Sequence, residues 1–378
     1  MTDGEKLDDI VEAAVARGDA PGVVAAVARG DETYVKAAGV MAVGGPPMRP
    51  DTLFRISSTT KPVTAATVLS LVDDGLLDLN EPVDGLLPEL AGRRVLRRPD
   101  GPLDDTGPAM RPVTVRDLLT FTWGFGMEGS MFMGPGPWPI VTAVAERELY
   151  SFGPPQPAAT PDPDTWLARL GELPLLAQPG ERWLYSTGSQ VLGVLAARAA
   201  GAPFGDVMRE RVLGPLGMHD TAFYAGEVGR LATAYENRDG RLTVSDPPDG
   251  QWSRPPRFPD GAGGLVSTAA DLLAFGRMLL RGGRPVLKPG TAAEMTRDQL
   301  TAAQRANVWP GFSFLEGRGW GYGVSVLDWG YTWEGGLGTA WSNVPAQDLT
   351  VVVLTQRAAD ETGMPAVCEQ VLRAAASG

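Results

Sequence analysis

The chain has 378 residues, of which 43% are hydrophobic and 21% are charged, with a net charge of −12 at pH 7. This composition is that of an ordinary globular protein, and it excludes a disordered chain, a fibrous repeat and a small scaffold that depends on disulfides. The negative charge disfavours nucleic acid as a partner, because a phosphate backbone would be repelled.

The chain offers few residues for disulfide or metal chemistry. Its one cysteine, Cys368, cannot form an internal disulfide and fits a reducing compartment. With one histidine, His219, the three or four ligands of a usual zinc site cannot be assembled, and we predict no metal or cofactor.

The first 22 residues lack the features of a secretion signal, and no long apolar run predicts a membrane span. We expect a cytoplasmic protein without a membrane partner.

The N-terminal part predicts a helix, a hairpin and a second helix, in that order. Apolar residues at helical spacing predict a helix over 5–17. Two β-rich runs at 22–30 and 32–40 are split by a Gly-Asp pair and predict a hairpin. A short extended segment at 52–57 then leads into TTKPVTAATVLSLVDDGLLDL, which is apolar almost all round and predicts a buried helix.

The middle of the chain alternates helical segments with loops rich in glycine and proline. Strands return near the C-terminus, where β-rich runs lie at 320–327, 331–336, 339–344 and 349–356. A helix at 364–376 follows the last of these strands. Strand character is therefore concentrated at the two ends of the chain.

This distribution predicts an α+β fold with an antiparallel sheet covered by the terminal helices. We expect residues 1–75 and 215–378 to form the sheet domain, and residues 76–214 to form an inserted, mostly helical domain. The boundary between the two is the natural place for a ligand cleft.

The candidates for catalysis are Ser58 and Lys61, which open the predicted buried helix. Their spacing of three places both side chains on one face, about one helical turn apart. The positive end of the helix favours a developing oxyanion and the neutral form of the lysine. Since a neutral amine can accept a serine proton, we predict Ser58 as nucleophile and Lys61 as base. A Ser-x-x-Lys spacing also arises by chance, and in the competing interpretation Ser58 only caps the helix.

Other nucleophile and nucleotide motifs are disfavoured. His219 lies in a Gly/Pro-rich turn, and no serine lies in a G-x-S-x-G sequence, so a Ser-His-Asp triad is not expected. The G-x-G-x-x-G match at 124–129 lacks the strand before it and the helix after it that a dinucleotide site requires. A serine enzyme built from this chain needs a base other than histidine.

The segment FRISSTTKPVTAATVLSLVDDGLLDLNEPVDGLLPEL resembles the nucleophile segment of the serine β-lactamase and penicillin-binding-protein superfamily. Further segments agree with that superfamily in the same order: VTVRDLLTFTWGF, QPGERWLYSTGSQVLGVLAARAAG, PLGMHDTAF, GAGGLVSTAADLLAFGRMLL and WEGGLGTAWSNVPAQDLTVVVLTQR. The motifs resemble those of class C β-lactamases and family VIII carboxylesterases in particular. The resemblance implies a β-lactamase/transpeptidase-like fold.

The same resemblance implies roles for Tyr185 and Gly336. Tyr185 matches the tyrosine that assists the lysine base and returns a proton to the leaving group. We expect the pKa of Tyr185 to be lowered by the neighbouring cationic amine. The backbone N–H groups of Ser58 and Gly336 match the oxyanion hole, where glycine lets the strand approach closely.

Departures from the family pattern bear on the substrate. Trp333 and Gly335 fall in the third motif, where β-lactamases carry a cationic or polar residue that holds the substrate carboxylate. Trp cannot pair with an anion, and family VIII esterases tolerate Trp there. Thr187 replaces an asparagine common in β-lactamases, and Trp123 replaces a serine.

The loop at 123–139 is rich in methionine and aromatic residues. Its apolar members are Trp123, Phe125, Met127, Met131, Phe132, Met133 and Trp138. We predict that these side chains, with Trp123 and Phe125 foremost, line a pocket for the acyl or alcohol group. Packing in a core of the helical domain is the alternative.

The sequence thus predicts a serine hydrolase that acts through an acyl-enzyme on Ser58. Trp333 favours a carboxylesterase for short or medium acyl esters over a β-lactamase. The alternatives are a β-lactamase, a D-amino-acid peptidase or amidase, an acyltransferase of the same fold and, from a different class, a catalytically silent binding protein. The expected ligand is a small-molecule ester or amide, and no residue indicates the oligomeric state.

Overall fold

The structure, a computed structural model, describes residues 3–132, 136–306, 314–315 and 317–377. Its strands are β1 (Gly22–Arg29), β2 (Glu32–Gly39), β3 (Phe54–Arg55), β4 (Arg94–Leu96), β5 (Thr106–Pro108), β6 (Ala234–Arg238), β7 (Arg241–Asp246), β8 (Val266–Ser267), β9 (Gly319–Trp320), β10 (Ser325–Leu327), β11 (Gly330–Gly335), β12 (Thr339–Val344) and β13 (Leu349–Thr355). Its helices are α1 (Asp3–Arg17), α2 (Thr60–Asp73), α3 (Val115–Leu119), α4 (Pro139–Glu146), α5 (Pro163–Gly171), α6 (Thr187–Ala200), α7 (Phe204–Met208), α8 (Gly214–Leu216), α9 (Ala269–Leu280), α10 (Pro289–Met295), α11 (Ala302–Ala306) and α12 (Ala366–Ala376).

Seven strands form one antiparallel sheet in the order β2-β1-β13-β12-β11-β10-β9. β1 pairs with β13, so strands from the two ends of the chain lie side by side in the sheet. The predicted hairpin is β1 and β2, which pair from Gly22 opposite Gly39 to Arg29 opposite Glu32. The predicted α+β class with an antiparallel sheet is confirmed.

The segment predicted as one strand over 320–327 forms two, β9 and β10, which fold back so that Trp320 lies opposite Ser325. The reversal contains Gly323, whose φ of 72° is in the left-handed region that favours glycine. A Cβ atom added to Gly323 would lie 2.7 Å from the Ala65 Cβ of α2. The glycine therefore allows both the reversal and its close approach to the helix that follows Ser58.

Helices cover both faces of the sheet. On one face, α1 and α12 pack against residues of β1 and β13 such as Val351 and Val353. On the other face, α9 packs against the same strands, and Val352 and Leu354 join the main core. Successive strand residues point to opposite faces, and every residue of β13 is buried because both faces are covered.

The main core is continuous from the sheet to the helices of the predicted insert. It runs from Leu354 through Val68 of α2 to Leu192 of α6 and Trp166 of α5. α2 is buried from Thr60 to Leu71 and packs on α6, so it belongs as much to the helical part as to the sheet. The division at residues 75 and 215 stays a prediction.

Two helices of this region bear on the question of a membrane span. Among the described residues no single helix is long and apolar enough to cross a membrane. Thr187–Ala200 and Phe204–Leu216 meet the length and composition criteria only together, as a pair bent by 83°.

Candidate active site

Ser58 lies on a single 3-10 turn, Ser57–Thr59, immediately before α2, which begins at Thr60 and not at the predicted start, Ser57 or Ser58. Ser57 has a φ of 47°, an unfavourable conformation for a residue with a side chain. Ser58 itself is half-buried and lines a cleft. The strained turn thus presents the serine at the end of a buried helix.

Strands β11 and β12 hold this turn in place. The Thr339 hydroxyl donates a hydrogen bond to the Ile56 carbonyl at 2.9 Å. A Cβ atom added to Gly335 would lie 2.2 Å from the same carbonyl oxygen. Gly335 is buried and provides the close approach of β11 to the nucleophile turn, and its part in substrate binding stays a prediction.

Lys61 is fully buried, with 1% of its surface exposed. Its Nζ donates to Ser58 Oγ at 2.9 Å and to the Ala262 carbonyl at 2.7 Å. Burial lowers the pKa of Lys61 to about 7, against the opposing effect of the Asp260 carboxylate. The neutral form predicted from the helix end is therefore accessible near pH 7, and burial is its main cause.

Tyr185 places its ring beside the same lysine, with Lys61 Nζ 4.6 Å from the ring centroid. Burial raises the pKa of Tyr185 well above its usual range, although hydrogen bonds with Ser58 and Trp333 oppose the rise. The predicted lowering by a cationic neighbour is wrong, because a buried phenolate loses its hydration and burial also lowers the pKa of Lys61 to about 7, which leaves the amine only partly charged near neutral pH. Tyr185 stays a protonated phenol at neutral pH.

The Tyr185 segment is fixed by its backbone. Tyr185 and Met127 form an isolated antiparallel bridge with reciprocal N–H···O bonds of 2.8 and 2.9 Å. A Cβ atom added to Gly126 would lie 2.6 Å from the Leu184 carbonyl, so glycine permits this approach. Ser186 follows with a φ of 80°, a second strained residue beside the site.

A cleft of about 950 Å³ opens in front of Ser58. Its apolar lining lies on Met127, Pro154, Tyr185, Phe314, Trp333, Leu337 and Met364. Its acidic lining lies on Glu236, Asp239, Glu334, Asp360 and Glu361. Gly336 also lines the cleft, at the end of β11, and an added Cβ atom there would meet nothing within 4 Å. Both residues predicted for the oxyanion hole, Ser58 and Gly336, therefore border the same space.

The predicted pocket residues divide into two groups. Trp333 lines the cleft, and its indole N–H donates to the Tyr185 hydroxyl at 3.2 Å. Trp123 and Phe125 are fully buried in the main core, with ring centroids 5.6 Å apart, and they do not line this cleft. Thr187 is also fully buried, in the first turn of α6. For Trp123 and Phe125 the structure thus favours the packing alternative.

The other members of the loop at 123–139 also differ in position. Met127 lines the cleft, whereas Met131 is buried in the core. Phe132 is half exposed and Trp138 is partly buried. Met133 lies outside the described residues. Among the described residues of the loop, Met127 is the apolar side chain that lines the cleft. Hydrophobicity alone did not distinguish it from the other apolar residues of the loop.

Glu334 follows Trp333 and lies on the opposite face of β11, as strand alternation requires. Its carboxylate receives two hydrogen bonds from the Arg318 guanidinium at 3.1 and 3.3 Å. At the edge of the cleft, its negative charge is thus balanced by an adjacent cation.

Sequence reasoning missed Asp260 and Gln190, which lie behind the nucleophile. Both line a small cavity of about 50 Å³ together with Ser58 and Lys61. Gln190 Nε2 donates to Asp260 Oδ2 at 3.1 Å. One feature of the sequence could have indicated Asp260: it directly precedes the GAGG segment that resembles the family.

The described residues contain no group of three or more His, Cys, Asp or Glu side chains arranged to hold a metal ion. Cys368 is buried on α12, and burial raises the pKa of its thiol to about 12. The polar side chains that contact Ser58 are the Lys61 amine and the Tyr185 phenol, and the Trp333 indole in turn contacts the phenol.

Comparison with solved structures defines the fold. The structure of "EstCE1, a hydrolase with promiscuous acyltransferase activity" superposes with a TM-score of 0.83 and 24% identity, covering 99% of this chain and 98% of that chain. The protein therefore has the β-lactamase/transpeptidase-like fold that its motifs implied.

The family follows from the sequence match. Residues 7–375 match the Beta-lactamase family model, and the chain belongs to that family. It is 40% identical over 339 residues to "Protein Rv1367c" of Mycobacterium tuberculosis, covering 84% of this chain and 80% of that protein. It is 31% identical over 392 residues to "Esterase EstB" of Burkholderia gladioli, covering 93% and 90%. The superfamily resemblance is confirmed.

Proposed function

We propose that the protein is a carboxylesterase that hydrolyses short or medium acyl esters through an acyl-enzyme on Ser58. One observation carries the proposal: a fully buried Lys61 amine lies 2.9 Å from Ser58 Oγ, with its pKa lowered to about 7. A base with a pKa near the working pH combines a useful neutral fraction with useful proton affinity. The relation to Esterase EstB supports the choice of ester as substrate.

In the proposed acylation, Ser58 Oγ attacks the ester carbonyl while neutral Lys61 accepts its proton. The backbone N–H groups of Ser58 and Gly336 stabilise the oxyanion. Because the Trp333 N–H donates to the Tyr185 oxygen, the phenolic proton is available to the leaving alcohol. Tyr185 regains a proton from the Lys61 ammonium. Water then cleaves the acyl-enzyme by the same steps in reverse.

Neutral substrates suit the cleft better than carboxylates. At the third motif, Trp333 offers an N–H that already donates to Tyr185, and it has no positive charge for a β-lactam carboxylate. Across the cleft, Asp239 and Glu361 add negative charge, whereas Glu236 pairs with Arg238 and Asp360 pairs with Arg357. We therefore propose little β-lactamase activity.

The apolar part of the cleft is the proposed acyl site. Met127, Phe314 and Trp333 line the cleft with Ser58, and the Phe314 ring stacks on Tyr185 with centroids 4.4 Å apart. A cavity of about 950 Å³ fits a small-molecule ester.

We propose a cytoplasmic location, because a single buried cysteine fits a reducing compartment.

The test compares the wild type with Ser58→Ala on p-nitrophenyl acetate, butyrate and octanoate and on a chromogenic cephalosporin. We expect ester turnover to fall by about 10³-fold or more in S58A, with little cephalosporin turnover in either protein. Ser253→Ala, a serine change outside the described lining of the cleft, is the matched control. Intact-mass analysis should find an acyl adduct on the wild type and none on S58A.

Three outcomes contradict the proposal. Ester turnover that is undiminished in S58A removes Ser58 as nucleophile. Cephalosporin turnover that exceeds ester turnover makes the protein a β-lactamase. Added acceptor alcohols reveal an acyltransferase, if the transferred product forms faster than the free acid.

A further inference from the structure

A turn at residues 260–264 lies directly behind the candidate nucleophile, between α2 and α6. Thr64 of α2 donates its hydroxyl proton to the Gly261 carbonyl at 2.7 Å. A Cβ atom added to Gly261 would lie 2.5 Å from the Ser189 carbonyl of α6. The turn is thus packed tightly against the helix that carries Lys61.

The Asp260 side chain organises this turn. Its Oδ1 accepts a hydrogen bond from the Ala262 N–H at 2.7 Å, and its Oδ2 accepts one from Gln190 Nε2 at 3.1 Å. Ala262 in turn accepts a hydrogen bond from Lys61 Nζ at 2.7 Å through its carbonyl. The carboxylate therefore holds the residue that anchors the candidate base.

Asp260 also places a negative charge in the cavity behind Ser58, with 7% of its own surface exposed. Besides Lys61, the titratable groups that line this cavity are Tyr150, Tyr185 and Asp260, so Asp260 is the one carboxylate among the described lining residues. The Asp260 charge favours the ammonium form of Lys61, and the Lys61 charge favours the carboxylate. Burial is the larger effect for both groups and opposes both charged forms, so the pKa of Asp260 is raised and that of Lys61 is lowered.

We propose that Asp260 is a positioning residue for the candidate base, holding the Ala262 carbonyl against Lys61 and stabilising the ammonium that forms during acylation. As Ser58 Oγ bonds to the acyl carbon, the hydroxyl proton moves to Lys61 Nζ. The ester C–O bond then breaks, the leaving oxygen takes the Tyr185 proton, and Tyr185 takes the proton held on Lys61. Asp260 exchanges no proton in this sequence. The inference rests on the proposed function of Ser58 and Lys61.

The test is the pH dependence of kcat/KM for p-nitrophenyl butyrate in wild type and Asp260→Asn. The amide keeps the size of the side chain and an oxygen for the Ala262 N–H, but it removes the charge. We expect the acidic limb of the profile to move to lower pH by about one unit, as expected for the loss of a neighbouring opposite charge. We expect the plateau to fall about tenfold as the base weakens.

Asp271→Asn is the matched control. Asp271 is also 7% exposed, and it accepts hydrogen bonds from the Asp220 N–H and the Thr221 hydroxyl, away from Lys61. An unmoved acidic limb in D260N, even with reduced kcat/KM, overturns the proposal, because a merely structural role lowers activity without moving the limb. An equal shift in D271N also overturns it.

If D260N does not fold, Gln190→Leu provides the test. That change removes the donor to Asp260 Oδ2, which disfavours the charged carboxylate, so the limb should move in the same direction by less. An unmoved limb in folded Q190L then overturns the proposal. The two proposals fail on different results. Ester turnover retained in S58A overturns the proposed function. An inactive S58A together with an unmoved acidic limb in D260N overturns only the role of Asp260.

Discussion

The indole N–H of Trp333 donates a hydrogen bond to the hydroxyl oxygen of Tyr185 at 3.2 Å, and the two rings pack with centroids 5.5 Å apart. The contact joins the end of β11 to the segment before α6, across the cleft that contains Ser58. Trp333 therefore supplies a neutral N–H donor to the Tyr185 phenol at the third-motif position.

Removing this donor should slow turnover while leaving the fold intact. In Trp333→Phe a smaller aromatic ring remains but the N–H is lost, so the Tyr185 hydroxyl is less well oriented for proton transfer. We expect kcat to fall about tenfold, the loss of one hydrogen bond, with a smaller change in KM. Steady-state kinetics on p-nitrophenyl butyrate measures both.

Trp320→Phe is the control for that variant. Trp320 packs edge-to-face on Trp333 at 4.8 Å, and its indole nitrogen has no hydrogen-bond partner among the described residues. The change removes an N–H from the same aromatic cluster but keeps the Trp333 N–H that donates to the Tyr185 hydroxyl. Equal losses of kcat in both variants would mean that packing, and not the N–H, matters.

The activity should depend on pH through Lys61. With a pKa of about 7, Lys61 is an ammonium below that pH and cannot accept the Ser58 proton, so kcat/KM should rise through pH 7 to a plateau. Because burial raises the pKa of Tyr185, its ionisation should not reduce activity below pH 10. A profile that is flat between pH 5 and 9 would contradict the assignment of the base.

Lys61 should also lower the stability of the folded chain. Its pKa falls from 10.5 to about 7 on folding, so the unfolded chain binds more protons between these values and the free energy of unfolding rises with pH across that window. Lys61→Met removes this cost together with the two Nζ hydrogen bonds. We expect an inactive variant whose free energy of unfolding at pH 7 is higher by about 2 kcal/mol.

Denaturant unfolding at pH 7 and pH 9 measures this effect, and the advantage of K61M should shrink at pH 9. A variant that is less stable than wild type at both values would show that the two hydrogen bonds outweigh the burial of the amine.

The nucleophile turn should be sensitive to Gly335. Gly335→Ala places a Cβ atom 2.2 Å from the Ile56 carbonyl, so the turn or β11 must move. We expect a loss of about 1–3 kcal/mol in the free energy of unfolding, typical of overpacking, with a large loss of activity. Gly336→Ala meets no atom within 4 Å and should unfold at the wild-type temperature. Equal melting temperatures for the two variants would contradict the close packing of β11 on the turn.

Much of the framework could be predicted from local patterns. The hairpin of β1 and β2, the helix α12 and the buried α2 follow from periodicity over short windows, which depends on neighbouring residues only. The juxtaposition of Ser58 and Lys61 is of the same kind, because three residues at a helix start span about one turn.

Other features depended on contacts between distant parts of the chain. Trp123 and Trp333 are chemically equivalent in the sequence, yet one lies in the core and the other lines the cleft. The 320–327 segment reads as one strand, but Gly323 turns it against α2. Local patterns do not say which aromatic side chain meets which neighbour.

The sequence by itself determined the family, the nucleophile candidate and its base, because these depend on residue type and local spacing. Only the tertiary structure decided the electrostatics: burial lowers the pKa of Lys61 and raises that of Tyr185, and Asp260 lies behind both residues. A pKa depends on hydration and on charges from all surrounding elements, and these are assembled from residues up to about 200 positions apart, as in the Lys61–Ala262 contact.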